Sequence, residues 1–289
     1  MSWDLVVNVV VAGVLTGMVY GLMALGLSVI FGVVRVVNFA HGEMMTIAMY
    51  ATAALFVAFK LDPFLAVLPV AAGFFALGYA MQAGLINPFI TRPEHSQFML
   101  LVAVAIIMVN GLLMLFGPDA RSVQLAYQLE SFELGPLLFD KARLYSAALA
   151  LLTSAALFAF FRLTLTGKAI RACADNHLGA LVVGLNVKHL YALTFGVGSA
   201  CVAVAGCMMV LLVDVTPQLG PAYTLLAFVI VIVGGLGSMP GALVGGVLIG
   251  VSEAMAGLLI TPSAKSMVSF GLLILVLLFK PQGLLGRRP

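Results

Sequence analysis

The densest set of chemically capable side chains in this sequence is Arg35, Asn38, His41 and Glu43, four groups within nine residues. Such a set could ligate a metal, carry protons or line a passage for a solute. A metal site is not expected. His41 and Glu43 stand two apart, which turns them to different faces of a helix, and no second histidine is near. The cluster abuts a long apolar run, Met44 to Phe59. A charged group at the middle of a bilayer costs about 2.5–3.5 kcal/mol on insertion scales, so these side chains must face protein or water. Two readings follow. In one, a broken helix bends here and lines a transport route or touches its gate, which makes Asn38, His41 and Glu43 route candidates. In the other, the segment is an ordinary surface loop and Arg35 follows the positive-inside tendency.

A second interruption, Gly234-Gly235-Leu236-Gly237-Ser238-Met239-Pro240-Gly241, carries no charge. Four glycines and a proline do not continue a helix comfortably. It is either a tight turn between helices or a re-entrant break, and Gly237 and Ser238 join the route candidates on the second reading. No Lys-Ser or Lys-Thr follows, and G-x-x-x-x-G-K-[ST] occurs nowhere, so the chain has no nucleotide-binding loop of its own. H-E-x-x-H and G-x-S-x-G are also missing. No covalent chemistry and no cofactor are expected.

The longest polar island among apolar runs is Ile170 to Tyr191, preceded by Arg162 and Gly167-Lys168. It is amphipathic: Ile170, Cys173, Leu181 and Val182 share faces with alanines, interrupted by Lys168, Arg171, Asp175 and His177 at helical spacing. Arg171 and Asp175, four apart, are placed to pair for a few tenths of a kcal/mol. The stretch reads as a short helical hairpin on the cytoplasmic face, broken near Gly184. A half-apolar helix in water needs a groove to fill, which points to a protein partner; the alternative is a membrane-surface helix without one.

Composition sets the elements that hold these groups. Of 289 residues, 63% are hydrophobic and only 9% charged, against about 25% charged in a soluble domain. Mean hydropathy is +1.19. Apolar runs long enough for a hydrocarbon layer of about 30 Å recur throughout, and because they are continuous rather than alternating they are helices. The fold class is an all-α polytopic membrane protein with eight or nine crossings, embedded in lipid as a single domain over residues 1–289. Gly13, Gly17 and Gly21, and Gly241, Gly245, Gly246 and Gly250, are packing glycines. Asn110 is expected to bond a neighbouring helix. Glu253 is either a bundle-facing structural acid or part of the route. Cys173, Cys201 and Cys207 have neither metal spacing nor a disulfide pattern. A net charge of +3, spread over loops, gives no nucleic-acid footprint. Met1-Ser2-Trp3-Asp4 lacks the basic region of a signal peptide, so the first run is expected to stay.

Alternation through nine crossings puts the amphipathic island, Arg35, Arg92 and the basic tail on one side. That side then holds nine of the fourteen Lys and Arg residues: Arg35, Arg92, Arg162, Lys168, Arg171, Lys188, Lys280, Arg287 and Arg288. By the positive-inside rule it is cytoplasmic. An eight-crossing arrangement makes one interruption re-entrant. The pair of interruptions, one near each end of the chain, also hints at an internal repeat with a route between its halves.

Four blocks resemble one family. Gly26 to Gly32 with Val37-Asn38-Phe39-Ala40-His41-Gly42-Glu43 is similar to the first signature of branched-chain amino acid ABC transporter permeases of the LivH type. Gly167-Lys168-Ala169-Ile170-Arg171-Ala172, Asp175-Asn176, Gly184-Leu185-Asn186-Val187 and Tyr191-Ala192-Leu193-Thr194-Phe195 resemble its cytoplasmic coupling segment. Gly234 to Ala242 and Phe279-Lys280-Pro281-Gln282-Gly283-Leu284 resemble its later signatures. The blocks keep the family's order and cover nearly the whole chain. One departure stands out: where members often carry Glu-Ala-Ala before the coupling glycine, this chain reads Leu178-Gly179-Ala180.

The resemblance implies an inner-membrane permease subunit of a bacterial importer. Its partners would be a second, LivM-like permease, two cytoplasmic ATPases and a periplasmic binding protein. The coupling segment, about 162–189, would dock on an ATPase through Gly167, Arg171, Asp175, Asn176 and Gly184. The solute would be leucine, isoleucine or valine, or a related small amino acid or amide; relatives also handle urea and aromatic acids. The alternative is a proton- or sodium-coupled carrier with Glu43 or Glu253 as the proton site.

Overall fold

The computed structural model describes residues 3–135 and 137–286. The cations of the basic tail, Arg287 and Arg288, and the first two residues lie outside the described part. Eleven α-helices follow in order: α1 (Trp3–Val34), α2 (His41–Phe59), α3 (Pro63–Met81), α4 (Glu94–Phe116), α5 (Lys141–Leu163), α6 (Leu165–Asp175), α7 (His177–Val182), α8 (Val187–Met209), α9 (Leu219–Gly234), α10 (Met239–Leu259) and α11 (Lys265–Phe279). Seven of them, α1 to α5, α8 and α10, are long and apolar enough to cross a membrane, and α9 and α11 are shorter apolar helices. The nine apolar helices match the nine apolar runs of the sequence, with ends within a few residues.

One element is not helical. A hairpin of β1 (Ser131–Leu134) and β2 (Leu137–Asp140), paired antiparallel with Ser131 opposite Asp140, sits in the longest loop between apolar helices. That loop is pinned at several points. Arg121 and Val215 exchange backbone hydrogen bonds, Tyr127 donates to the Asp62 carboxylate at 3.2 Å, and Leu138 N–H donates to Asn8 Oδ1 at 2.8 Å. Burial pushes the Tyr127 phenol well above its usual range, and the Asp62 charge adds to this, so it stays a donor. This end of the bundle is a knitted cap rather than a slack loop.

α1 and α8 form the centre. α1 packs along α10 with almost no space between backbones. A Cβ on Gly17 would fall 2.7 Å from the Gly246 carbonyl oxygen, and one on Gly250 would fall 2.5 Å from the Gly13 carbonyl oxygen. Without a hydrophobic force between helices in lipid, such contact supplies dispersion attraction over the whole seam. Glu253 joins the same assembly: its Oε1 accepts from Ser269 of α11 at 2.9 Å, and Tyr20 of α1 also bonds its carboxylate. The structure thus gives it the partners of a bundle-facing acid. Asn110, by contrast, meets no neighbouring helix among the described residues; its amide donates to Ile106 O of its own turn at 2.8 Å.

The last described residues return to the bundle. Leu284 and Leu285 donate N–H groups to the carbonyls of Val233 and Gly234 at 2.8 and 2.9 Å. These are two of the carbonyls that the end of α9 leaves without an intrahelical donor. Gly283, with φ 78°, lies so close to Gly235 that a Cβ would sit 2.5 Å from its Cα. Phe279 to Leu284 is therefore the far half of the turn that ends α9.

Replacing Gly246 with Val should destabilise the purified protein in detergent by about 1–3 kcal/mol, read as an earlier thermal unfolding transition. Val244→Leu, on an exposed position of the same helix, should leave the transition in place.

Candidate functional site

α1 ends at Val34, and Arg35 takes φ 58°, the left-handed step more often filled by glycine at a helix C-terminus. The chain then runs without helix through residues 35–40 before α2 begins at His41. Val36, Asn38 and Ala40 of this connection are buried. It ends deep in the bundle: His41 Nε2 donates to the Met23 carbonyl at 2.9 Å. Met23 precedes the end of α1 by eleven residues, about 16 Å at 1.5 Å per residue. The first interruption is thus a break that carries α2's start inward, not a surface loop.

A helix start inside the bundle has amide groups that water cannot serve. Thr224 of α9 serves one: its hydroxyl accepts from Gly42 N–H at 2.8 Å and donates to Glu43 Oε2 at 2.8 Å. The carboxylate itself is favoured by the first turn of α2. Two glycines make the approach feasible. A Cβ on Gly42 would lie 2.1 Å from Gly220 O, and one on Gly220 would lie 2.9 Å from Glu43 Cγ. Asn38 turns its Oδ1 onto Ala40 N–H at 3.1 Å, an Asx turn that shapes the break. His41 Nδ1 and Ser28 Oγ are buried without a hydrogen-bond partner. Asn38, His41 and Glu43 therefore form one buried polar segment around the break, each turned to a different partner. Thr224, which completes it, was not picked out from the sequence; a lone threonine in an apolar run carries no local signal.

Gly237 and Ser238 lie elsewhere. They line a vestibule of about 1380 Å³ at the end of the bundle where α1 finishes. The second interruption is a tight turn and not a re-entrant break. Gly235 and Gly237 take φ 110° and 74°, and Ser238 Oγ accepts from Gly241 N–H as the N-cap of α10 at 3.2 Å. The end of α1 meets this turn there: a Cβ on Gly32 would be 3.3 Å from Gly237 Cα. The vestibule is also lined by Arg35, by Glu94 and His95 of α4, by Arg162 of α5, by Arg171 and Asp175 of α6, and by Leu285. Of the nine cations that charge alternation placed on one side, Arg35, Arg162 and Arg171 line this vestibule together.

The amphipathic island forms α6 and α7. Thr164 caps α6 by accepting from Gly167 N–H at 3.0 Å, and Gly167 sits in an elbow where a Cβ would be 2.3 Å from Phe160 O. The chain breaks near Gly184, as expected, and also at Asn176. Asn176 is extended, with φ −147°, and its side chain caps α7 by accepting from Gly179 N–H. Gly184, with φ 82°, terminates α7, and Leu185 N–H returns to Ala180 O at 3.0 Å. The expected shared apolar face splits in two. Ile170 and Cys173 are buried against the chain itself, whereas Leu181 and Val182 are exposed, together with Leu178 and Val183. Burial raises the Cys173 thiol pKa, and a hydrogen bond with Tyr191 at the start of α8 offsets part of that rise. The far side of the island is anchored through Gln82 and Asn87. Gln82 opens a π-helical turn after α3 and donates to Asn87 Oδ1 at 3.0 Å, and Asn87 donates to Lys188 O at 3.2 Å.

A family model described as branched-chain amino acid transport system / permease component matches residues 9–277. This chain belongs to that family. It is 32% identical over 294 residues to the high-affinity branched-chain amino acid transport system permease protein LivH of Salmonella typhimurium, covering 95% of this chain and 94% of the relative. LivH of Escherichia coli gives the same identity and coverage. The permease protein BraD of Pseudomonas aeruginosa is 30% identical over 296 residues, covering 96% and 94%. No solved structure matches the chain. The family supplies permease components of ABC transport systems, so this is an inner-membrane transport subunit and not an enzyme, and it works with ATPase and binding-protein partners. The carrier alternative falls with that assignment.

Thr224→Val should leave both Gly42 N–H and Glu43 without their shared partner and cost about 1–3 kcal/mol per orphaned group. Thr224→Ser, which keeps the hydroxyl, should unfold near the wild-type temperature in the same detergent melt.

Proposed function

We propose that the whole chain, 1–289, acts as one permease domain that passes leucine, isoleucine or valine, or a related small amino acid or amide, received from a periplasmic binding protein. The route runs by the buried cluster of Asn38, His41 and Glu43 and empties through the vestibule beside Gly237 and Ser238. A zwitterion needs acceptors for its ammonium group and a donor for its carboxylate along an otherwise apolar path; Glu43 and His41 Nδ1 can accept, and the buried Ser28 hydroxyl can donate. The observation that carries the reading is the vestibule wall. The end of α1, the connection after it through Val36, Val37 and Phe39, and the 236–240 turn share it with Arg171 and Asp175 of α6, so a displacement of α6 acts on the exit directly.

The coupling segment, about 162–189, docks on one of two cytoplasmic ATPases. The exposed Leu178, Leu181, Val182 and Val183 give that partner an apolar surface in water, which a monomer would not keep without use. Gly167, Asn176 and Gly184 set the angles of the lever, and Arg171 and Asp175 face the exit. With Leu178 where related chains often have a glutamate, the contact here is apolar at that point. The second, LivM-like permease completes the membrane unit. Nucleotide binding then biases two packed arrangements of the bundle, opening the route to one side at a time.

In vesicles holding the complete importer, Arg171→Glu and Gly184→Asp should each lower ATP-driven leucine uptake at least tenfold while membrane amounts of the chain stay at the wild-type level. Asp at position 184 must adopt a φ that only glycine takes easily. Undiminished uptake by both variants would remove the segment from the coupling role.

A further inference from the structure

α4 is the least covered of the seven long helices: 17% of its most apolar window is buried inside the chain, against 83% for α8. Its buried side, Leu101, Ala105 and Leu112, faces the bundle, where α4 meets α2. The opposite side carries Met99, Ala103, Ile106 and Asn110, all exposed, at intervals of four, three and four. That is the spacing of a helix-to-helix seam, and one polar residue in such a seam sets register with its partner.

Asn110 makes the seam more than a lipid-facing stripe. It lies six residues before the end of α4, about 9 Å inside at 1.5 Å per residue. That depth falls within hydrocarbon, which offers no hydrogen-bonding group. The amide has two N–H groups and a carbonyl oxygen, and one N–H is satisfied by Ile106 O. Polar side chains at such depth face protein as a rule. A water-soluble partner cannot reach it. The first turns of α4, through Glu94, His95 and Phe98, also form a wall of the vestibule, so a helix seated on α4 would stand next to the exit.

The geometry points to the Met99/Ala103/Ile106/Asn110 face of α4 as the seam with a transmembrane helix of the second permease subunit, which presents a hydrogen-bonding side chain at the depth of Asn110. This rests on the reading of the chain as one of two permeases in an importer.

The test uses the complete importer in native membranes, with a photo-crosslinking phenylalanine derivative placed singly at Ile106, Asn110 or, as a lipid-facing control, Leu275 of α11, which is 56% exposed. Positions 106 and 110 should yield adducts with the second permease subunit, and position 275 should not. Asn110→Leu should reduce the second subunit recovered with this chain at least fivefold at unchanged membrane level, and Asn110→Gln should restore it. Adducts with lipid alone, or with a second copy of this chain, would overturn the seam, as would full recovery with Asn110→Leu. If the unaltered chain retains no second permease at all, the two-permease reading fails as well, which separates that failure from misplacement of the seam.

Discussion

The start of α2 is set inside the bundle, and its amides and its glutamate must be served there, because hydrocarbon supplies no partner. Much of the surrounding structure follows from that need. α9 must cross α2 closely enough for Thr224 to reach both Gly42 and Glu43, and only glycine at positions 42 and 220 leaves room for the crossing. α1 must run past the break so that the Met23 carbonyl meets His41. Polar groups that would be costly in isolation hold three helices to one register.

The second interruption shows how the same kind of sequence gives a different result. Residues 234–241 lack charge and sit at the end of the bundle. The end of α9 is closed from outside the loop, by Leu284 and Leu285, and the start of α10 is closed by Ser238. A tight turn suffices because neither helix end lies deep. The contrast is between a break buried inside the bundle and a turn on the rim of the vestibule.

Much of this was legible in the sequence. Apolar runs located nine helices, because nothing but a helix satisfies so long an apolar backbone in lipid. The polar spacing of residues 35–43 marked the break. Charge alternation grouped Arg35, Arg162 and Arg171, and all three line the vestibule. Other features depend on contacts between distant segments and leave no local pattern. Thr224 reads as an ordinary threonine until α2 is laid beside it. Asn110 was expected to bond a neighbouring helix, and among the described residues it bonds its own turn. The break near Gly184 was legible because glycine is the louder signal; the one at Asn176 was missed, although an asparagine that caps the next helix breaks a chain just as firmly. The hairpin at 131–140 went unseen: four-residue strands in a polar loop are too short to show a period of two.

The returning tail sets an order of assembly. The amides that close α9 belong to residues made fifty positions after Gly234, at Leu284 and Leu285. While α10 and α11 are still being made, two carbonyls at the end of α9 lack the donors that later close them. The rim of the vestibule is therefore closed only after α10 and α11 have been made.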